Sequence, residues 1–283
     1  MKFARFSKGG QVGIGQIDEE GNRIRPLSGV TGDVGALISS TPTTSAAHGE
    51  WLPIDEIKLL APFAETPRNI ICVGKNYREH AREFARSGFE AGATTDVDSF
   101  PAVFTKPSTC IVGPGDRVNL HSGLTQSVDY EAELALVIGK PGANISKADA
   151  YNHIWGYTIV NDVTARDRQR NHKQWFLGKA LDTFCPMGPW VTTADEVDPE
   201  NLEIKCWVNG ELRQSANTRD LIFNIPTLIE SISSGMSLLP GDIIATGTPS
   251  GVGIGFNPPK FLRPGDEVRV WIAGLGTLSN QFA

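Results

Sequence analysis

Glycine and proline punctuate this chain from end to end. Thirty Gly and eighteen Pro are scattered rather than gathered into linkers, so few segments run far before the backbone turns. Short strands joined by many turns answer that pattern, and the expected fold class is mainly β with some α. At 283 residues and 40% hydrophobic content the chain can build one large core, or a large domain beside a small one. The first 66 residues look like a small β domain: "MKFARFSKGGQVGIGQIDEEGNRIRPL" reads as short strands with turns at glycines, and the polar "SSTPTTSAAHGEW" follows. Pro62 and Pro67 then precede an apolar strand, a suitable entrance to a main domain over residues 67–283.

The net charge of −6 argues against a nucleic-acid partner, since a phosphate backbone is usually met by a basic face. No segment approaches the apolar length needed to span a bilayer, and "MKFARFSKGGQVGIG" lacks the core of a signal peptide, so a cytoplasmic protein without a membrane partner is expected. Cys72, Cys110, Cys185 and Cys206 are widely spaced without a CxxC pair, which suits reduced structural thiols. Helices are expected in "NYREHAREFARSG", "SKADAYNHI" and "IFNIPTLIESISSG", with strands at "WGYTIVND", "PWVTT", "EIKCWVNG" and "EVRVWIAG". Between the first helix and the next strand, "FEAGATTDVDSF" lacks periodicity and is a candidate lid or a plain surface loop.

Chemistry concentrates in a few places. In "DYEAELALVIGK", Asp129, Glu131 and Glu133 occupy alternate positions, so in an extended chain all three carboxylates leave one face. A solvent-facing edge needs nothing more. A bound Mg²⁺ needs further oxygens, and Asp162 is the choice for one, where the apolar strand of "GYTIVNDVTARDRQ" runs into a polar segment. A glycosidase fits poorly, because its two carboxylates must flank the scissile bond rather than leave one strand in the same direction.

His80 and Glu83, three residues apart on the expected helix, share a face. A neutral His80 can take a proton from water while Glu83 favours the imidazolium so formed. A solvated ion-pair face among Arg78, Arg82 and Arg86 is the plainer alternative. "GDIIATGTPSGVGIG" opens from a strand into a turn whose N–H groups and Thr248 hydroxyl could receive an anion such as a carboxylate. Its GxGxG is no dinucleotide signature, since the prolines of "FNPPKFLRPGDEV" oppose the helix that signature needs. Lys106 and Lys179 sit beside apolar residues, where an ammonium needs a reason to be or snorkels to water. The chain has neither a GxSxG elbow nor a P-loop.

Through "VGKNYREHARE", "KPS", "DYEAELALVIGK", "NDVTARDRQ", "GKALDTFCPMGP", "VNGELRQ" and "GDIIATGTPSGVG", the chain from about Asn69 onward resembles the fumarylacetoacetate hydrolase family. The resemblance implies a mixed β-sandwich roll, a homodimer, and Mg²⁺ or Mn²⁺ held by Glu131, Glu133 and Asp162. It also implies a water-activating dyad of His80 and Glu83 on a closing lid, with Lys179 catalytic. Gln169 and Thr248, with Lys106 and Lys75, would contact a small-molecule keto acid, Lys75 holding a carboxylate. The first 66 residues resemble the short leader of smaller bacterial members.

The implied reaction is hydrolysis of the C3–C4 bond of a 2,4-diketo acid to pyruvate and a second acid. The substrate class is an acylpyruvate or, by preference, a sugar-derived 2,4-diketo-3-deoxy acid. Two other enzymes share the pyruvate-type enolate, an oxaloacetate decarboxylase and a 2-hydroxyhepta-2,4-diene-1,7-dioate isomerase. A noncatalytic metal-binding protein is the alternative of another class.

Overall fold

A computed structural model of the protein describes residues 1–39, 49–87 and 99–283. Its centre is the strand Ala132–Ile138, buried along its whole length. Leu134, Leu136 and Ile138 enter one hydrophobic cluster and Ala135 and Val137 enter another, because successive side chains leave a strand on opposite faces. Burial on both sides is why "LALVI" is continuous rather than alternating.

That strand lies in a twelve-stranded mixed sheet. The order along its main path is Leu52–Pro53, Arg23–Pro26, Gln11–Ile17, Lys2–Lys8, Cys185–Thr193, Ile154–Asn161, Ala132–Ile138, Ile243–Ala245, Ile70–Gly74 and Ala102–Lys106. Lys2 and Phe3 pair with Thr192 and Val191, so the sheet runs unbroken from the N-terminal segment into the larger unit. A second sheet of five strands is built from Glu211–Asn217, Glu203–Val208, Glu267–Ile272, Gly276–Phe282 and Arg117–Val118. Its Ile204, Cys206, Val268 and Val270 meet Leu134 and Leu136 in the core between the sheets. The protein is thus mainly β with few helices, as its sequence leads one to expect.

The helices Arg78–Arg86 and Ile225–Ser233 form where expected, the second capped by Asn224, whose side chain accepts from the Thr227 amide at 3.2 Å. "SKADAYNHI" yields only a short 3-10 turn, Ala150–His153. The β-branched and aromatic run that follows is taken by the sheet at Ile154, leaving too few residues for a helix. Two short helices not anticipated, Arg166–Asn171 and Phe176–Lys179, carry Gln169 and Lys179. The four cysteines are buried and free. The lid candidate falls mostly on residues 88–98, outside the described residues.

Register places the site. Ala132 pairs with Asn161, Ala135 with Ala245, and Ala245 with Cys72. The start of the central strand therefore lies beside the ends of three others. The segments leaving those ends, at Asp162, Gly247 and Lys75, converge there.

Candidate active site

Glu131 and Asp162 are locked together by a backbone hydrogen bond and by the side chain of Asn161. The Glu131 amide donates to Asn161 Oδ1 at 2.9 Å, and the Asp162 amide donates to the Glu131 carbonyl at 2.8 Å. Glu133, two residues on, leaves the same face, and carboxylate oxygens of Glu131, Glu133 and Asp162 all lie within 4.8 Å of one another. The solvent-facing alternative is thereby excluded, since all three are buried.

Three cations sit against this charge. Lys179 Nζ donates to Glu131 Oε2 at 2.7 Å and to Asp162 Oδ2 at 2.6 Å. Lys106 Nζ lies 2.7 Å from Asp162 Oδ1 and donates to the Val163 carbonyl at 3.0 Å. Arg166 reaches Glu131 Oε1 at 2.7 Å and Asp129 Oδ2 at 2.9 Å. Burial would raise the Glu131 carboxyl, but the charges of Lys179 and Arg166 outweigh it and hold the group at about 2. Glu133 goes the other way. Burial, with the negative charges of Asp162 and Glu131 beside it, lifts it well above the usual carboxylate range, and Lys179 and the Gly247 amide oppose this only in part.

Three converging carboxylates, without a thiolate or imidazole in the group, suit a hard divalent cation such as Mg²⁺ or Mn²⁺ better than zinc. Glu133 has no ion pair of its own among the described residues, only the Gly247 amide at 2.8 Å. Its charge is the one a bound cation would balance. The residues present therefore fit such an ion.

His80 is buried on the inner face of its helix, and its Nδ1 lies 3.2 Å from Glu83 Oε2. The exposed-face alternative fails for this residue. Glu83 is itself held, its two oxygens accepting from the Gly251 amide at 3.0 and 3.2 Å. With Nδ1 engaged, Nε2 of His80 is the nitrogen left for other chemistry.

The glycine-rich turn does receive carboxylates, as its sequence suggests, and they come from the chain itself. Its amides serve the chain's own carboxylates: Gly247 binds Glu133, Gly251 binds Glu83, and Gly253 and Ile254 bind Asp129 at 2.6 and 3.1 Å. Gly251 has φ +102°, and a Cβ on Gly255 would fall inside the Glu83 carboxylate. The glycines are there because acids approach the backbone closely.

Lys75, His80, Glu131, Glu133, Gln169, Lys179 and Thr248 open onto one cleft. Its aromatic wall is Phe84, Phe104 and Trp175, with Trp175 edge-on to the other two at centroid distances of 6.1 and 5.3 Å. Gly74 leaves room for the Trp175 ring, which any Cβ there would strike. Gln169 Oε1 accepts from Arg166 Nη1 at 3.2 Å, which leaves its amide nitrogen as the donor end, and that nitrogen has no acceptor among the described residues. Lys106 is not among the lining residues. It is fully buried behind Asp162, where burial works against its charge and Asp162 more than restores it. Its position is that of a counter-charge, not a substrate contact.

Arg166, Trp175 and Gln214 escape a reading of the sequence. For Arg166 a signal exists: it shares a helical face with Gln169, directly after the apolar "VTA".

A mixed β scaffold with a buried carboxylate group that could hold a metal ion, beside a histidine–carboxylate pair, narrows the class of protein, and comparison with known proteins says which. The family described as fumarylacetoacetate (FAA) hydrolase, C-terminal, matches residues 69–283, and an N-terminal unit described as Rv2993c-like matches residues 1–62. The chain belongs to the fumarylacetoacetate hydrolase family. It is 56% identical over 230 residues to the oxaloacetate tautomerase YisK of Bacillus subtilis (strain 168), covering 81% of this chain and 74% of that one. A fumarylacetoacetate hydrolase from the psychrophile Exiguobacterium antarcticum superposes with TM-score 0.87 at 41% identity, covering 100% of this chain and 99% of that one. A 2-hydroxyhepta-2,4-diene-1,7-dioate isomerase from Mycobacterium marinum superposes with TM-score 0.79 at 37% identity, covering 100% and 98%. Among the described residues no helix is long and apolar enough to cross a membrane.

Proposed function

We propose that this protein is a metal-dependent enzyme that interconverts the keto and enol forms of a short 2-keto diacid, with oxaloacetate as substrate. One observation carries the reading: His80, Lys179, Glu131 and Glu133 line a single cleft. The relative at 56% identity, named an oxaloacetate tautomerase, supports the choice of reaction.

A divalent cation held by Glu131, Glu133 and Asp162 would draw electrons from the oxygens of a bound keto acid and so favour its enol form. The remaining work falls to the chain's own groups. His80 Nε2 carries the proton to and from C3, because Nδ1 is held by Glu83 and the carboxylate steadies the imidazolium between transfers. Lys179 brings a fixed positive charge to the oxygen that becomes negative. The Gln169 amide and the Thr248 hydroxyl hold the carboxylate end, and Lys75 supplies a compact cation at the cleft wall.

The dyad supports a second reading, hydrolysis of the C3–C4 bond of an acylpyruvate or a sugar-derived 2,4-diketo-3-deoxy acid. His80, backed by Glu83, would then deprotonate water for attack on C4. A product-resolved assay of the pure protein with Mg²⁺ or Mn²⁺ separates the readings. Rapid conversion of enol oxaloacetate to its keto form without release of carbon dioxide supports tautomerisation. Pyruvate released only from diketo acids supports hydrolysis. No turnover of any of these acids would end both and leave a metal-binding protein.

A further inference from the structure

We infer that Gln214 fixes the polarity of Thr248, making its hydroxyl a dedicated hydrogen-bond donor into the cleft and hence a reader of a carboxylate. The inference rests on the keto-acid reading of the cleft. Gln214 belongs to the second sheet and is fully buried. Its Oε1 accepts from the Ala132 amide at 3.1 Å, and its Nε2 donates to the Pro249 carbonyl at 2.7 Å and to Thr248 Oγ1 at 2.8 Å. Chemistry permits one orientation of this amide. A backbone N–H can only donate and a carbonyl can only accept, so oxygen must face Ala132 and nitrogen must face Pro249.

Thr248 Oγ1 is therefore an acceptor toward Gln214. Its own hydrogen has no acceptor among the described residues, although the side chain is only 2% exposed and lines the cleft. A buried donor left in that state is costly unless a ligand satisfies it, and the ligand that does so presents a lone pair. Ala132 lies between Glu131 and Glu133, so the same side chain that sets the hydroxyl's polarity also ties it to the strand bearing the acids. Gln214 is a positioning residue that acts through Thr248.

The test uses the full chain saturated with Mg²⁺ and oxalate as probe, the smallest dianion that presents both a chelating pair and carboxylate acceptors. Gln214→Glu is nearly isosteric and still accepts from Ala132, but its other oxygen, whether a carboxylate or an acid whose single hydrogen goes to the Pro249 carbonyl, no longer donates to Thr248, so Thr248 turns its hydrogen to that oxygen and away from the cleft. Calorimetry should show the oxalate Kd raised on the order of 10-fold in Q214E and in T248V, the worth of one hydrogen bond to a charged group. The double variant should be no weaker than T248V, T248S should stay near wild type, and Mg²⁺ affinity should be unchanged in T248V, which alters no charge. Gln214→Met removes the donor without supplying an acceptor, so it should lose less affinity than Q214E. A packing role predicts the reverse order, and that order would overturn the inference. So would additive losses in the double variant, or wild-type protein that does not bind oxalate. Wild-type protein that binds oxalate but converts no keto acid would remove the catalytic reading alone, leaving Gln214 to stand or fall by its variants.

Discussion

Arg166 Nε donates to Asp129 Oδ2 at 2.9 Å, and both side chains are wholly buried. The same guanidinium reaches Glu131, so one cation joins the floor of the cleft to the glycine-rich turn that Asp129 anchors. Replacing Asp129 by Ala leaves Arg166 short of a partner and the Gly253 and Ile254 amides without an acceptor. A loss of about 3–5 kcal/mol is expected, as for other broken buried pairs. Denaturant titration checks it, and a loss too small to measure would mean that water substitutes freely for the carboxylate.

Gly255→Ala tests the close approach of the turn to the dyad. The new methyl must displace the Glu83 carboxylate, and with it the orientation of His80. Turnover should fall about 100-fold, as for other small misplacements of a catalytic group, while the Kd for Mn²⁺ stays put. Unaltered turnover would show that Glu83 does not orient His80 during reaction.

Lys179 stands between two acids, and in the proposed reaction it also carries charge. Lys179→Met should lower kcat about 100- to 1000-fold. The metal-free variant should also be less stable than wild type, because Glu131 and Asp162 lose a shared counter-charge. Added Mn²⁺ should then raise the melting temperature of the variant more than that of wild type. Equal shifts would place Lys179 outside the charge balance of the site.

Burial, and after it the charges of Asp162 and Glu131, raise Glu133, so in the metal-free protein this carboxyl keeps its proton to higher pH than an ordinary glutamate. A cation binds the carboxylate, not the acid. Metal binding should release a proton, and apparent affinity should climb as pH rises toward the raised value. Calorimetry in buffers of different ionisation enthalpy reads the proton directly; heats identical across buffers would contradict it.

Glu131 and Glu133 are legible in sequence because alternate spacing in extended chain puts them on one side where the buried strand Ala132–Ile138 begins. Asp162 is legible because a strand's end is where side chains leave the sheet. Arg166 is hidden among Arg166, Arg168 and Arg170, since only the phase of a six-residue helix decides which one turns inward. Apolar neighbours mark Lys106 and Lys179 alike, yet one lines the cleft and the other lies behind it. Lys106 ends a strand and Lys179 ends a short helix, and how those two elements pack decides which ammonium faces the cleft, which spacing does not carry. The glycine-rich turn reads correctly as an anion receptor, but its anions arrive from 114, 168 and 124 residues away. Contacts at such separations come from sheet order rather than local pattern.

His80→Ala separates proton carriage from metal binding. Tautomerisation should fall by about 100- to 10,000-fold, as expected for a lost general acid–base group, and any diketo-acid hydrolysis should fall further than any decarboxylation, since only hydrolysis needs an activated water. Equal losses in all three reactions would remove the case for a water-activating dyad.

The most direct test follows the absorbance of enol oxaloacetate in the presence of enzyme dialysed against EDTA, before and after Mg²⁺ or Mn²⁺ is restored. Conversion to the keto form should be at the uncatalysed rate without metal and accelerated with it, and Glu133→Gln should abolish the rescue. Full turnover by protein shown to be free of metal would contradict the assignment of Glu131, Glu133 and Asp162.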